Sequence, residues 1–322
     1  MHGAAAWFAH SLFLNDAPEV IVTTDMCDVA QLKGFMPPSW SNVKVVTYFH
    51  ENQLTFPWSP EDIDPKTGRD LSYGYINLST CLASDAIWFN SSHHKEAFLS
   101  AAESHLSRMP KPTLGHWRAC VEPKASVLPL GLHLPPMSGD ETNGKTSDEP
   151  TILWNQRWAW DKGTDRFGRF VRQLMDEELK ANFIIMGQSF QRVPDGWLEL
   201  KDLMGSRCLH WGYAESKEAY WHLLRQADLT LVDPRQEYFG LAVVEAMSAG
   251  VVPWVPNQHA YPETMPPQHE FLGHEDWLDA FKEQRWNRWP VSVADYKAHA
   301  RRYDWSSAKG WYVQALNELM TT

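Results

Sequence analysis

The chain is short of cysteine and of positive charge, and it has no long apolar run. Its four cysteines, Cys27, Cys81, Cys120 and Cys208, lie far apart with no C-x-x-C pair, which argues against a disulfide framework or a zinc site. A reducing, cytoplasmic setting fits that usage. No apolar run approaches the roughly 18 residues that a membrane-spanning helix needs. The opening MHGAAAWFAHSLFLND has neither the basic start nor the cleavage pattern of a secretion signal, and no membrane partner is expected. Lysine and arginine number 29 against 40 acidic residues, a net charge of −11. That balance argues against indiscriminate binding to nucleic acid, whose phosphates need cations. Two stretches still carry local positive charge: Arg108, Lys111, Arg118 and Lys124, then Lys297, Arg301, Arg302 and Lys309. Solvated surface is the plainer account of both.

What is present points to two domains. At 322 residues, 43% hydrophobic and 21% charged, the chain has the size and composition for two globular cores. Its 17 tryptophans exceed what surfaces hold, so many belong to those cores and a few are candidates for stacking on ligands. Apolar, β-rich runs predict buried strands at EVIVTTD (19–25), VKVVTYFH (43–50) and DAIWFNS (85–91), with helices near 74–83 and 94–107. The polar, Gly- and Ser-rich segment 135–150 reads as a linker. The pattern then restarts with strands at TILWNQR (151–157), NFIIMGQ (182–188), CLHWGY (208–213), LTLVD (229–233) and VVPWV (251–255), separated by helices near 164–179, 216–226 and 241–248. Such alternation on both sides of a linker predicts an α/β protein of two doubly wound, parallel-sheet domains. The expected domains are 1–149, linker 135–149 included, and 150–322 with a closing C-terminal helix. No internal repeat is visible.

In doubly wound sheets, ligands sit beyond the carboxyl ends of the strands. The polar residues there are His50-Glu51-Asn52, Asn90-Ser91-Ser92, Arg157, Gly187-Gln188, Gly212-Tyr213 and Glu237. Glu237 precedes a Phe-Gly pair, and Gly240 lets backbone approach a ligand closely before a helix whose first amides form an anion site. Glu245, in the midst of LAVVEAM, is an acceptor suited to paired sugar hydroxyls. Arg157 and Lys162, five residues apart across a strand end, supply about the two positive charges that a diphosphate needs. His50 can hydrogen-bond a sugar hydroxyl. Taken singly, each is as readily a surface charge or a structural histidine. Together they suit a nucleotide sugar.

The order H-E-N, R-x4-K-G, M-G, W-G-Y and E-x7-E resembles the retaining GT-B glycosyltransferases of the large family-4 type. More narrowly, YFHENQLTFPW, SYGYINLSTCLASDAIWFNS, NQRWAWDKG, HWGYAESKEAYW, EYFGLAVVEA and AYPE together look like the tRNA-queuosine mannosyltransferases, over nearly the whole chain. The resemblance implies two Rossmann-like domains facing a cleft, GDP-mannose as donor and the cyclopentenediol of queuosine, at the tRNA wobble position, as acceptor. It implies no metal and no cofactor beyond the sugar nucleotide. It would put Arg157 and Lys162 on the donor diphosphate, and Glu237 with the backbone of Phe239 and Gly240 on the transferred sugar. Glu245 would meet the ribose, the Gly212–Tyr213 turn the base, and His50 the sugar from the first domain. Gly187 and Leu241 are counted with the donor-binding positions.

This chain departs from the family at its start. The family opens with a strand and a Gly-rich turn carrying Gly-Gly-Ser-His; here MHGAAAWFA resembles a later, internal helix. The first domain is therefore expected to lack its first strand and helix and to expose a sheet edge. The residues alone leave two alternatives open. One is a GT-B enzyme with another sugar nucleotide and a small-molecule, lipid or glycan acceptor. The other is an inactive protein that binds a nucleotide sugar or tRNA.

Overall fold

The computed structural model describes residues 3–12, 16–111, 115–136, 149–188 and 193–321, so most of the predicted linker lies outside the described residues. The chain groups into two compact units: Met1–Leu130 together with Lys309–Thr322, and Gly131–Ala308.

The first unit carries a parallel sheet of β1 (Val20–Thr24), β2 (Lys44–Phe49), β3 (Ala86–Phe89) and β4 (Ala125–Val127), in that order. Side chains alternate across it. Phe49, Ile87 and Phe89 turn to one core with Phe98, Leu99 and Trp117, while Val46, Tyr48 and Trp88 turn to the other. β1 is an edge strand, and its Val22 is exposed.

The second unit has a five-stranded parallel sheet, β7-β6-β5-β8-β9. Its strands are β5 (Thr151–Trp154), β6 (Asn182–Met186), β7 (Cys208–Gly212), β8 (Leu229–Leu231) and β9 (Val252–Trp254). Trp154, Phe167 and Trp197 pack ring on ring under it, with Trp154 5.0 Å from each of the others. The order reverses between β5 and β8, the topological switch point at which doubly wound sheets take ligands. Every strand predicted from the sequence is present. Both units are Rossmann-like, as the GT-B architecture requires. No helix among the described residues is long and apolar enough to cross a membrane.

The grouping of the chain differs from the predicted 1–149 and 150–322 at both ends. Residues 131–136 run beside the 301–305 segment: Leu132 donates its amide to the Tyr303 carbonyl at 2.7 Å, and Trp305 donates back to Leu132 at 2.6 Å. The last helix, Trp305–Thr321, carries Trp311, Tyr312, Ala315, Leu316 and Leu319, which pack on the Tyr48–Trp88 face of the first unit's sheet. An apolar stripe on a terminal helix does not say which of two sheets it covers, so sequence alone attached it to its nearer neighbour.

Candidate active site

In the second unit the loops that follow β5 and β8 are stitched together by charge. Asp233, buried at the end of β8, accepts from Arg166 and from His274 Nδ1, each at 2.6 Å. Arg235 reaches back to Asp165 at 2.9 Å, lies 4.1 Å over the Trp160 ring and donates its amide to the Asp161 carbonyl. Gly163 makes this crossing possible. Its φ of 77° is left-handed, and a Cβ there would lie 2.3 Å from the Asp233 carbonyl oxygen.

The stitched loops bring Lys162 and Glu237 to 3.1 Å, with only 14% and 13% of their side chains exposed. Asp161 lies between the two predicted cations, 3.7 Å from Lys162 and 3.6 Å from Arg157. The other oxygen of Glu237 accepts the amides of Gly240 at 3.0 Å and Phe239 at 3.3 Å. Burial alone would raise the Glu237 carboxyl, but Lys162 and the two amides outweigh it and hold it below the usual range. The glutamate thus stands in for an anion at the start of the helix Leu241–Ala249. Val243 and Val244 make the first bonds of that helix, both to the Gly240 carbonyl, so the amides of Leu241 and Ala242 precede them and point outward. The Phe239 side chain is buried edge-on to Tyr303, which leaves only its backbone to face a ligand.

Glu245 sits in the same helix. Its Oε2 accepts the Tyr220 hydroxyl at 2.7 Å, and that oxygen in turn accepts from Asn155 Nδ2 at 3.3 Å. Burial raises the Glu245 carboxyl, a shift that the Tyr220 hydroxyl partly offsets. Gly187 and Gly212 close the group: Gly187 donates its amide to Gly212, and a Cβ on Gly187 would lie 2.3 Å from the Gln156 carbonyl. Tyr213, next in the chain, is exposed. Arg157, Lys162, Gly187, Gly212, Tyr213, Glu237, Phe239 and Gly240 therefore all lie at or beyond the carboxyl ends of strands of one sheet, and Leu241 and Glu245 in the helix that follows β8.

His50 ends β2 in the first unit. Its amide donates to Asp25 Oδ1 at 3.1 Å, and its carbonyl accepts from Asn90 Nδ2 at 3.0 Å. Asn90 is fixed by His94 Nδ1 at 2.8 Å. Asn77 ties the Asp25 carbonyl to the Gln53 amide at 3.0 and 2.9 Å. Partial burial lowers the His50 pKa, so its ring is neutral near pH 7. Asp25 is 1% exposed; burial, against the opposing His50 amide and with help from Glu51, pushes its carboxyl up to about 7.

Sequence reasoning missed Asp25, Asn77, Asn155 and Tyr220. Asp25 was within reach, since it ends the predicted strand EVIVTTD just as His50 ends its own. Tyr220 was not, because a tyrosine on an amphipathic helix reads as core.

Comparison with known proteins supplies the family. Residues 1–132 match the model described as tRNA-queuosine alpha-mannosyltransferase N-terminal, and residues 140–275 the model for glycosyl transferases group 1. A tRNA-queuosine alpha-mannosyltransferase of Drosophila melanogaster is 30% identical over 273 residues, covering 83% of this chain and 71% of that protein. The chain belongs to the tRNA-queuosine alpha-mannosyltransferase family. It is a glycosyltransferase. A GDP-mannose:cellobiosyl-diphosphopolyprenol alpha-mannosyltransferase of Xanthomonas oryzae pv. oryzae is similar at 23% identity over 55% of this chain and 49% of that protein. Sucrose-phosphate synthase from Thermosynechococcus elongatus shares the fold, with a TM-score of 0.65, 16% identity, and coverage of 94% of this chain and 74% of that one.

Proposed function

We propose that this family member moves mannose from GDP-mannose to the cyclopentenediol of queuosine at the wobble position of tRNA, in the cytoplasm, with retention at the anomeric carbon. The observation that carries this reading is the convergence of Lys162, Glu237 and the Leu241–Ala242 amides at the β5–β8 switch point. Family membership supports the acceptor, and the donor is that of the Xanthomonas relative's name.

In this reading the diphosphate lies against Lys162, Arg157 and the helix-start amides. As the bond from the mannosyl C1 to phosphate breaks, negative charge grows on the leaving oxygen, and those groups stabilise it. A queuosine hydroxyl oxygen takes the place on C1, and its proton passes to the leaving phosphate. Glu237, kept ionised by Lys162, accepts hydrogen bonds from mannose hydroxyls. Glu245, backed by Tyr220, accepts from the ribose, and the Gly212–Tyr213 turn borders the guanine. His50, neutral, bonds a sugar hydroxyl.

The test is incubation of the chain with GDP-mannose and tRNA carrying queuosine, followed by mass analysis of the released nucleosides. A hexose is expected on queuosine with GDP-mannose and not with UDP-glucose. Unmodified queuosine alongside normal GDP-mannose binding would remove the acceptor half of the reading; no binding of either donor would remove the other half.

A further inference from the structure

Of the eight cations in the two basic stretches, four make contacts of their own. Arg118 is held by Glu96, Glu103 and Glu122 at 3.1, 2.9 and 3.0 Å. Lys124 donates to the carbonyls of Leu82 and Ser84 at 2.9 and 2.5 Å. Arg301 pairs with Asp304 at 3.5 Å and also donates to the Pro135 carbonyl, while Arg302 lies over the Tyr303 ring. Arg108 differs. Its bonds are only to its own helix, to the Ser104 carbonyl and hydroxyl at 3.0 Å each, and among the described residues it meets no carboxylate. Lys111, exposed, follows three residues on.

Arg108 borders a hollow of about 750 Å³ in the first unit, within the range of roughly 300–1,000 Å³ typical of small-molecule sites. The helix Arg69–Ala83 lines it with Leu71 and Tyr75, both more than half or about half exposed (58% and 50%), and Met109 completes the apolar part. His105 also lines it.

We infer that this hollow receives one unpaired nucleotide of the tRNA, with its base on Tyr75 beside Leu71 and Met109 and its phosphate on Arg108. The inference rests on the tRNA reading above. Asp28 also lines the hollow, where its carboxylate caps the helix Val29–Phe35 by accepting the Gln31 amide at 3.0 Å and makes no pair with Arg108. An open aromatic face near an arginine that no carboxylate pairs is the combination that binds single-stranded nucleotides, since every base has a π-face and every linkage a phosphate. A purely apolar partner would leave Arg108 unmatched.

The experiment measures the affinity of the full chain for tRNA carrying queuosine, across a salt series, for wild type, Tyr75→Ala, Tyr75→Trp and Arg108→Ala. Tyr75→Ala is expected to weaken binding about tenfold and Tyr75→Trp to retain it, the scale of one lost base stack. Arg108→Ala is expected to weaken binding and to lower the salt slope by about one. Because these side chains are exposed, melting temperatures should match wild type, which separates lost contact from lost fold. Wild-type affinity in both alanine variants overturns the hollow while leaving the tRNA reading intact. If the wild type itself binds no tRNA at any salt concentration, the tRNA reading and the hollow fall together.

Discussion

At the ends of β5 and β8, polar groups are charged and meet in opposite pairs: Lys162 with Glu237, Arg166 with Asp233, Arg235 with Asp165. At the ends of β1, β2 and β3 they are mostly amides and imidazoles, Asn77, Asn90, His94 and the backbone of His50, with Asp25 the one buried carboxyl among the described residues of that unit and Glu51 half-buried beside it. Both lattices fix a strand-end loop, by different means. In the reading proposed above, the charged one would hold cations in place for an arriving diphosphate, at the cost of desolvating them. The neutral one holds backbone shape and presents hydrogen bonds to uncharged hydroxyls without drawing counterions.

Removing one charge should break the comparison most visibly in the first of these lattices. Lys162→Ala leaves Glu237 buried without its cation, a change that costs about 3–5 kcal/mol. The sign with pH is set by the depressed Glu237 pKa. Its contribution is present above the ordinary glutamate value and is lost as pH falls through the folded value, so the acid limb of the wild-type stability profile should flatten in the variant. Denaturant unfolding from pH 3 to pH 8 checks this, and the double variant Lys162→Met with Glu237→Gln should recover much of the loss. A loss well under 1 kcal/mol in Lys162→Ala would mean that the pair is solvated and the lattice only apparent.

The opposite sign is expected in the neutral lattice. The Asp25 carboxyl has a folded pKa of about 7 against an ordinary value near 4, so the folded state holds its proton more tightly. Stability should therefore fall as pH rises between those two values, by a few kcal/mol at most. Asp25→Asn keeps an acceptor for the His50 amide and removes the titration. The variant should match wild type near pH 4 and exceed it by about 2–4 kcal/mol at pH 8. Parallel profiles for the two proteins would show that Asp25 is ionised in the fold and the lattice not neutral.

How much of this was legible follows from the kind of signal each part leaves. Strand cores such as VKVVTYFH and NFIIM announce themselves by composition, and the strand-end rule then delivers His50, Arg157 and Glu237 without any alignment, with Lys162 following from its spacing to Arg157. β4 was illegible, because Ala125–Val127 is three residues long and has no apolar run. The second layer was illegible for another reason. Tyr220 and Asn155 act through contacts made 25 to 87 residues away in the chain, such as Asn155 with Ala242, and nothing local distinguishes them from core or loop. The destination of the last helix belongs to the same class, since its stripe fits either sheet.

The smallest effect concerns that second layer and sharpens the comparison within the charged unit. Glu245 differs from Glu237 in making no ion pair among the described residues, with only the more distant Lys217 acting on it: its Oε2 is held by the Tyr220 hydroxyl, and burial raises its carboxyl where Lys162 lowers that of Glu237. Tyr220→Phe removes one hydrogen bond to a mostly buried carboxylate, a loss of about 1–2 kcal/mol. With its stabilising donor gone, Glu245 should titrate higher still, so GDP-mannose binding should weaken severalfold and more steeply as pH drops toward 5. Lys162→Ala should instead weaken binding at every pH, because the diphosphate loses its cation whatever the state of Glu245. Calorimetric titration of GDP-mannose at pH 5, 6.5 and 8 distinguishes the two. Equal weakening of Tyr220→Phe at all three would detach Tyr220 from the Glu245 ionisation and leave it a packing residue.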